Sequence, residues 1–288
     1  MLSYRHGFHA GNHADVLKHL TLCLLLRHLS AKDKPYCVID THAGAGTYDL
    51  SDRFASVNRE FAGGVAEILA DPGLKAAVPE YFDLLKKLNP QASELSADTL
   101  RYYPGSPCIE AALTRECDRL TLLELHHHEF QNLLVNMGRD RRITIRNEDA
   151  FKLLPALLPP PIRRGLIFID PSYEMAGDYF AVVKAIKVAL TRFNTCQIAL
   201  WYPVLSAWQD DSRRLVQEIR RLGVPLLQAE LNVRQKDETP GMSGSGMLLL
   251  NYPYKLDEEL ETVMGGLYAR LAAPHNGSAR LKVLVEHP

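Results

Sequence analysis

Apolar residues along this chain recur in two rhythms. Short β-branched and aliphatic runs stand at residues 36–40, 120–125, 143–147, 165–170, 197–204, 226–233 and 246–253. Between most of them the spacing turns helical: Phe130, Leu133, Leu134 and Met137, then Val182, Val183, Ile186 and Leu190, then Leu215, Ile219 and Leu222. Strands that alternate with helices predict a doubly wound α/β domain with a seven-stranded, mainly parallel sheet, helices on both faces and ligands at the carboxyl ends of the strands. The last two runs are joined by residues 234–245, rich in charge, Gly and Pro, which predicts an antiparallel hairpin at one edge. The tail 279–286 alternates as a further strand.

The rhythm breaks once. About 80 residues separate the first run from the second, where a simple strand-helix-strand unit needs about 30. Within the gap Val78, Tyr81, Phe82, Leu85 and Leu88 keep a helical repeat. The expected organisation is therefore a main domain of residues 1–46 and 101–288 with an inserted helical subdomain at 47–100. Leu20 to Leu29 is too short and too interrupted, by Arg27 and His28, to span a bilayer, and reads as a core helix.

Composition narrows the classes. A formal net charge of −1 excludes a generally basic surface, so any nucleic-acid contact must come from a local patch. The five cysteines are scattered with no C-x-x-C pair, which disfavours a zinc site or a disulfide framework. The N-terminus does not resemble a signal peptide. The cytoplasm is the expected location, no membrane partner is expected, and a monomer is the expected state.

The chemistry gathers at strand ends. The first run leads into Asp40-Thr41-His42-Ala43-Gly44-Ala45-Gly46, where Gly44 and Gly46 permit a tight turn close to a ligand. The third glycine of a dinucleotide fingerprint is missing, which disfavours a nicotinamide dehydrogenase. Glu124 ends the second run, where a carboxylate can take the hydroxyls of a cofactor ribose. Asp149 ends the third, placed either to accept an adenine amino group under Phe151 or to cap the next helix.

The fourth run delivers Asp170-Pro171-Ser172-Tyr173, close to the D-P-P-Y signature of amino methyltransferases. An adenine N6 lone pair is delocalised into the ring, so the amine is a poor nucleophile until its hydrogens are held out of plane. The Asp170 carboxylate and the Pro171 carbonyl supply two acceptors, and Asp170 can also take the departing proton. Tyr173 offers a stacking face for a base drawn out of its helix, worth about 1–3 kcal/mol.

Six blocks, MLSYRHGFHAGNHADVLKH, DTHAGAG, RYYPGSP, LLELH, RRGLIFIDPSYE and ALWYPV, together resemble the RlmJ family. The resemblance extends over essentially the whole chain. It implies a class I, Rossmann-like methyltransferase that uses S-adenosyl-L-methionine to methylate adenine N6 in 23S ribosomal RNA. It further implies Asp170 as proton acceptor, with Tyr173 beside the target base. His19, His42, Ser106, Glu124 and Asp149 are implied as cofactor contacts, and Tyr4 as a residue that meets the RNA. The family's second motif proline is Ser172 here, which removes ring rigidity but keeps the Pro171 carbonyl.

Two other readings share these residues: a DNA adenine-N6 methyltransferase or DNA-utilisation protein, and a non-catalytic nucleic-acid-binding relative that has lost transfer through Ser172. His9, His13 and His19 invite a metal reading, but Gly7 and Gly11 oppose helix before Asn12 and no further ligand completes a set, so no metal is expected. With Tyr4, Arg5, His6 and Lys18 the segment reads as an aromatic and basic edge suited to RNA.

Overall fold

The chain is described here from a computed structural model covering residues 6–52, 58–175, 177–205, 210–235 and 241–287. Helix α1 (His13–Ser30) begins where the glycines end: the Asn12 side chain accepts the Ala14 and Asp15 amide protons, each at 3.0 Å, a standard N-cap. Its apolar residues run all round it, from Val16 through Leu29. Such a helix must be covered on every side. The sheet covers one side of α1, and the helical segments Pro79–Leu88, Ser106–Leu113 and Leu256–Leu267 flank the rest.

The strands are β1 (Cys37–Asp40), β2 (Thr47–Asp49), β3 (Tyr102–Pro104), β4 (Arg119–Leu123), β5 (Ile143–Arg146), β6 (Gly165–Ile169), β7 (Gln197–Leu205), β8 (Leu226–Asn232), β9 (Met242–Leu250) and β10 (Ser278–Val285). All but β2 and β3 form one sheet in the order β10-β8-β9-β7-β6-β1-β4-β5. From β5 to β7 the pairings are parallel; from β7 to β10 they are antiparallel. The expected β8–β9 hairpin forms, but it is not the edge. The tail adds β10 outside it, making eight strands, because Leu281 and Val283 find apolar cover against the core while Arg280 and Lys282 between them stay exposed.

The helices after α1 are α2 (Val65–Ile68), α3 (Pro72–Ala77), α4 (Pro79–Leu88), α5 (Ser106–Leu113), α6 (His127–Met137), α7 (Ala150–Leu157), α8 (Asp178–Arg192), α9 (Ser212–Arg220) and α10 (Leu256–Leu267). Strand β6 shows why they lie on both faces. Its five residues are all buried, Leu166 and Phe168 in the cluster with α1 and α10, Ile167 and Ile169 in the cluster with α7 to α9. Successive strand side chains point to opposite faces, so an unbroken apolar run needs cover on both.

The gap after β1 differs from expectation at its start. Thr47–Asp49 is strand, not helix, and pairs antiparallel with Tyr102–Pro104. The left-handed backbone of Gly44 and Gly46 (φ +61° and +83°) turns the chain onto β3 before a helix can begin. An Arg101–Asp49 ion pair at 3.1 Å ties the two ends of the insertion. The helical repeat then appears in α4, which buries Tyr81, Phe82, Leu84 and Leu85. No helix among the described residues is long and apolar enough to cross a membrane.

Candidate active site

Asp40 ends β1 with no exposed surface. Its carboxylate accepts the His42 amide proton at 3.0 Å and the Ser106 hydroxyl proton at 2.7 Å. Burial pushes its carboxyl up to about 7, against the pull of those two bonds. Folding therefore favours protonated Asp40, a contribution complete below about pH 4 and lost as pH rises through about 7. Asp40→Asn should remove that loss: between pH 4 and pH 8 its urea-unfolding free energy should fall by about 3–4 kcal/mol less than that of the unmodified protein. Equal slopes would show that Asp40 titrates normally.

Gly44 and Glu124 form the next turn. A side chain at Gly44 would stand 2.3 Å from the Tyr48 hydroxyl, so the motif needs glycine there for space as well as for φ. The Glu124 carboxylate accepts the Gly44 amide proton at 2.8 Å and the His126 amide proton at 2.6 Å. It thus straps the glycine turn while lining the cavity beside it. Gly46 stands behind that cavity, its carbonyl accepting the Gly105 amide proton at 2.8 Å.

Asp149 performs the capping role, accepting the Phe151 amide proton at 3.0 Å and pairing with Lys152 at 3.0 Å, and it also faces the cavity. His42 lies edge-on to Phe151, ring centroids 5.3 Å apart. Burial lowers its imidazole to about 4, so it is neutral at neutral pH. His19 is buried in α1 and shares a hydrogen bond of 2.9 Å with the Tyr103 hydroxyl, which meets the Tyr81 hydroxyl at 3.1 Å. Eight expected residues, His19, His42, Gly44, Ser106, Glu124, Asp149, Asp170 and Pro171, come from distant parts of the chain to one cavity of about 270 Å³. Tyr4 lies outside the described residues.

The donor set fits S-adenosylmethionine. An acid after β4 suits a ribose diol, an acid after β5 suits an exocyclic amine, and Leu125 and Phe151 supply apolar cover between them. Carboxylates outnumber lysines and arginines around the cavity, which favours a ligand carrying positive charge. Among the N-terminal histidines, His9 pairs with Glu60 at 3.0 Å, and burial lowers His13 to about 4.

Asp170 stands on the wall between this cavity and a second, of about 190 Å³, which Tyr173 and Trp201 line. Tyr173 holds a left-handed backbone (φ +53°), an uncommon conformation for a bulky residue. Its hydroxyl donates to the Trp201 carbonyl at 2.9 Å, and its ring packs on Tyr179 with centroids 4.5 Å apart. Lys18 was read as part of a basic edge; the structure instead buries it, 3% exposed, in the same wall. Its ammonium pairs with Asp15 at 2.8 Å and with Asp170 Oδ2 at 2.5 Å. Asp170 Oδ1 accepts no hydrogen bond among the described residues. The Asp15–Lys18 spacing inside an apolar helix was a readable signal that Lys18 is buried, since a buried ammonium requires carboxylate partners.

The doubly wound sheet, its antiparallel end, the glycine turn after β1 and Asp-Pro-Ser-Tyr after β6 define the class I methyltransferase fold. A family model described as "Ribosomal RNA large subunit methyltransferase D, RlmJ" matches residues 33–285. Ribosomal RNA large subunit methyltransferase J of Escherichia coli (strain K12) is 42% identical over 286 residues, 99% of either chain. Its namesake from Haemophilus influenzae is 39% identical over 279 residues, 96% of this chain and 97% of its own. The crystal structure of protein LPL1258 from Legionella pneumophila superposes with a TM-score of 0.84, covering 96% of this chain and 98% of that one at 36% identity. The chain belongs to the RlmJ family.

Proposed function

We propose that this protein transfers the methyl group of S-adenosylmethionine to N6 of an adenosine in 23S ribosomal RNA. The observation that carries the reading is Asp170 between two cavities, one carboxylate oxygen fixed by Lys18 and the other available. His19, His42, Ser106, Glu124 and Asp149 would hold the cofactor, which when bound supplies an electrophilic methyl group. Tyr173 and Trp201 line the cavity on the other side of Asp170, where the target adenine would lie. Trp201 also keeps a buried indole N–H with no partner among the described residues, a donor for a ring nitrogen.

In that position Asp170 Oδ1 and the Pro171 carbonyl accept the two amine hydrogens. Holding them out of plane localises the lone pair on N6 and directs it along the line of transfer. N6 would take the methyl group that the bound cofactor supplies, the sulfur keeping the electron pair of the broken bond, and Asp170 would take the surplus proton. Lys18 keeps the carboxylate oriented throughout, and the enclosing walls exclude water.

The test is transfer of labelled methyl from S-adenosylmethionine to protein-free 23S ribosomal RNA, with the product digested to nucleosides. Label should appear as N6-methyladenosine, and matched DNA should compete poorly because it lacks the 2′-hydroxyl. Glu124→Ala should weaken cofactor binding about 10- to 100-fold, the loss of charge-assisted hydrogen bonds. Label on another base, or on DNA in preference to RNA, overturns the assignment.

A further inference from the structure

A protein of net charge −1 that engages RNA must concentrate positive charge locally. Most arginines here are committed to the fold: Arg27 pairs with Glu80, Arg142 with Asp140 and Arg270 with Asp71. Helix α9 is different. Arg213, Arg214 and Arg220 are exposed and make no ion pair among the described residues, while Leu215 and Ile219 bury the opposite face. Arg213 and Arg220, seven residues apart, lie about 10 Å apart along the axis on one side of the helix. Two arginines in a first turn meet the positive end of the helix dipole, which opposes them. Fold stability does not account for these residue types.

This end of α9 adjoins the site. It follows β7 at the carboxyl edge of the sheet, and α9 packs on α8. Burial raises the Tyr179 phenol, and Asp210 and Asp211, which precede α9, raise it further. The start of α9 therefore lies beside the ring that stacks on Tyr173. Next to Tyr179, at the first turn of α8, Phe180 is 75% exposed, and Met175 before it is 63% exposed. A large aromatic left in water on α8, with unpaired arginines exposed on the helix packed against it, is the composition of a single-strand platform, where bases stack on the ring and arginines hold the backbone.

Resting on the methyltransferase reading above, we propose that Phe180, Arg213, Arg214 and Arg220 form a docking surface for the RNA strand that flanks the target adenosine. Phe180 stacks on a neighbouring base. The arginines take successive phosphates, so that the strand crosses α8 and α9 and presents its adenosine at Asp170.

The test uses the full chain and 23S ribosomal RNA, with Phe180→Ala, the pair Arg213→Ala/Arg214→Ala, and as a control Arg139→Ala/Arg141→Ala, exposed at the amino ends of the strands. Phe180→Ala should weaken RNA binding about 5- to 100-fold. The Arg213/Arg214 pair should lower the slope of log affinity against log salt by about 1.4–1.8. Both should raise KM for RNA while kcat at saturating RNA, cofactor affinity and Tm stay unchanged, and the control pair should behave as the unmodified protein. An unchanged slope and KM, an equal loss in the control pair, or a matching loss of cofactor affinity overturns the docking surface. If the unmodified protein binds RNA but transfers no methyl, the functional reading fails, and the salt slopes still decide the surface.

Discussion

Asp170→Ala should lower methyl transfer to 23S ribosomal RNA by about 10²–10⁴-fold while cofactor affinity stays within about twofold, since in the proposed mechanism the substitution removes the proton acceptor and leaves the cofactor's own contacts in place. The expectation follows from position. Asp170 is partly exposed on the wall shared by both cavities, and its available oxygen is the one that would meet the amine. Single-turnover rates at saturating cofactor and RNA would measure the loss directly. A variant that keeps turnover but releases cofactor would reverse the roles given to Asp170 and Glu124.

Lys18→Ala should cost about 3–5 kcal/mol of stability and also abolish transfer, because it leaves the buried Asp15 and the partly exposed Asp170 without their cation. Asp15 is 1% exposed and the Lys18 side chain 4%. Urea unfolding separates the two effects. In Lys18→Ala/Asp15→Asn one stranded charge is neutralised, so a substantial part of the stability should return while transfer stays lost. If the double variant regained activity, Lys18 would be a structural counter-ion alone. If the single variant were as stable as the unmodified chain, the pairing would not govern this core.

The main strands were legible because they are buried on both faces and read as unbroken apolar runs, Gly165–Ile169 most plainly. β2 and β3 were not, since three residues are too few to show a period, and their pairing follows from the glycine turn before them. Glu124, Asp149 and Asp170 stood out as acids ending apolar runs. The Lys18–Asp170 pair did not, for its partners are 152 residues apart and only the fold brings α1 against the end of β6. Asp40 was visible as a motif position, but its raised pKa depends on complete burial, which outweighs the hydrogen bond that Ser106 brings from α5. Trp201 was visible as one residue of an apolar strand and of the block ALWYPV, with nothing to show that it lines a cavity.

The line of hydroxyls from Tyr81 through Tyr103 to His19 sets a limit on how the chain can be shortened. Tyr81 belongs to the inserted segment, Tyr103 to the strand that closes it, and His19 to the wall of the larger cavity. Excising residues 47–100 and joining the ends would take Tyr81 away from the Tyr103 hydroxyl in a dry interior, leaving that phenol to His19, and would uncover one flank of α1. The segment that interrupts the sheet in sequence is, in three dimensions, masonry behind the wall of the larger cavity, and a shorter chain cut from this protein would have to keep it.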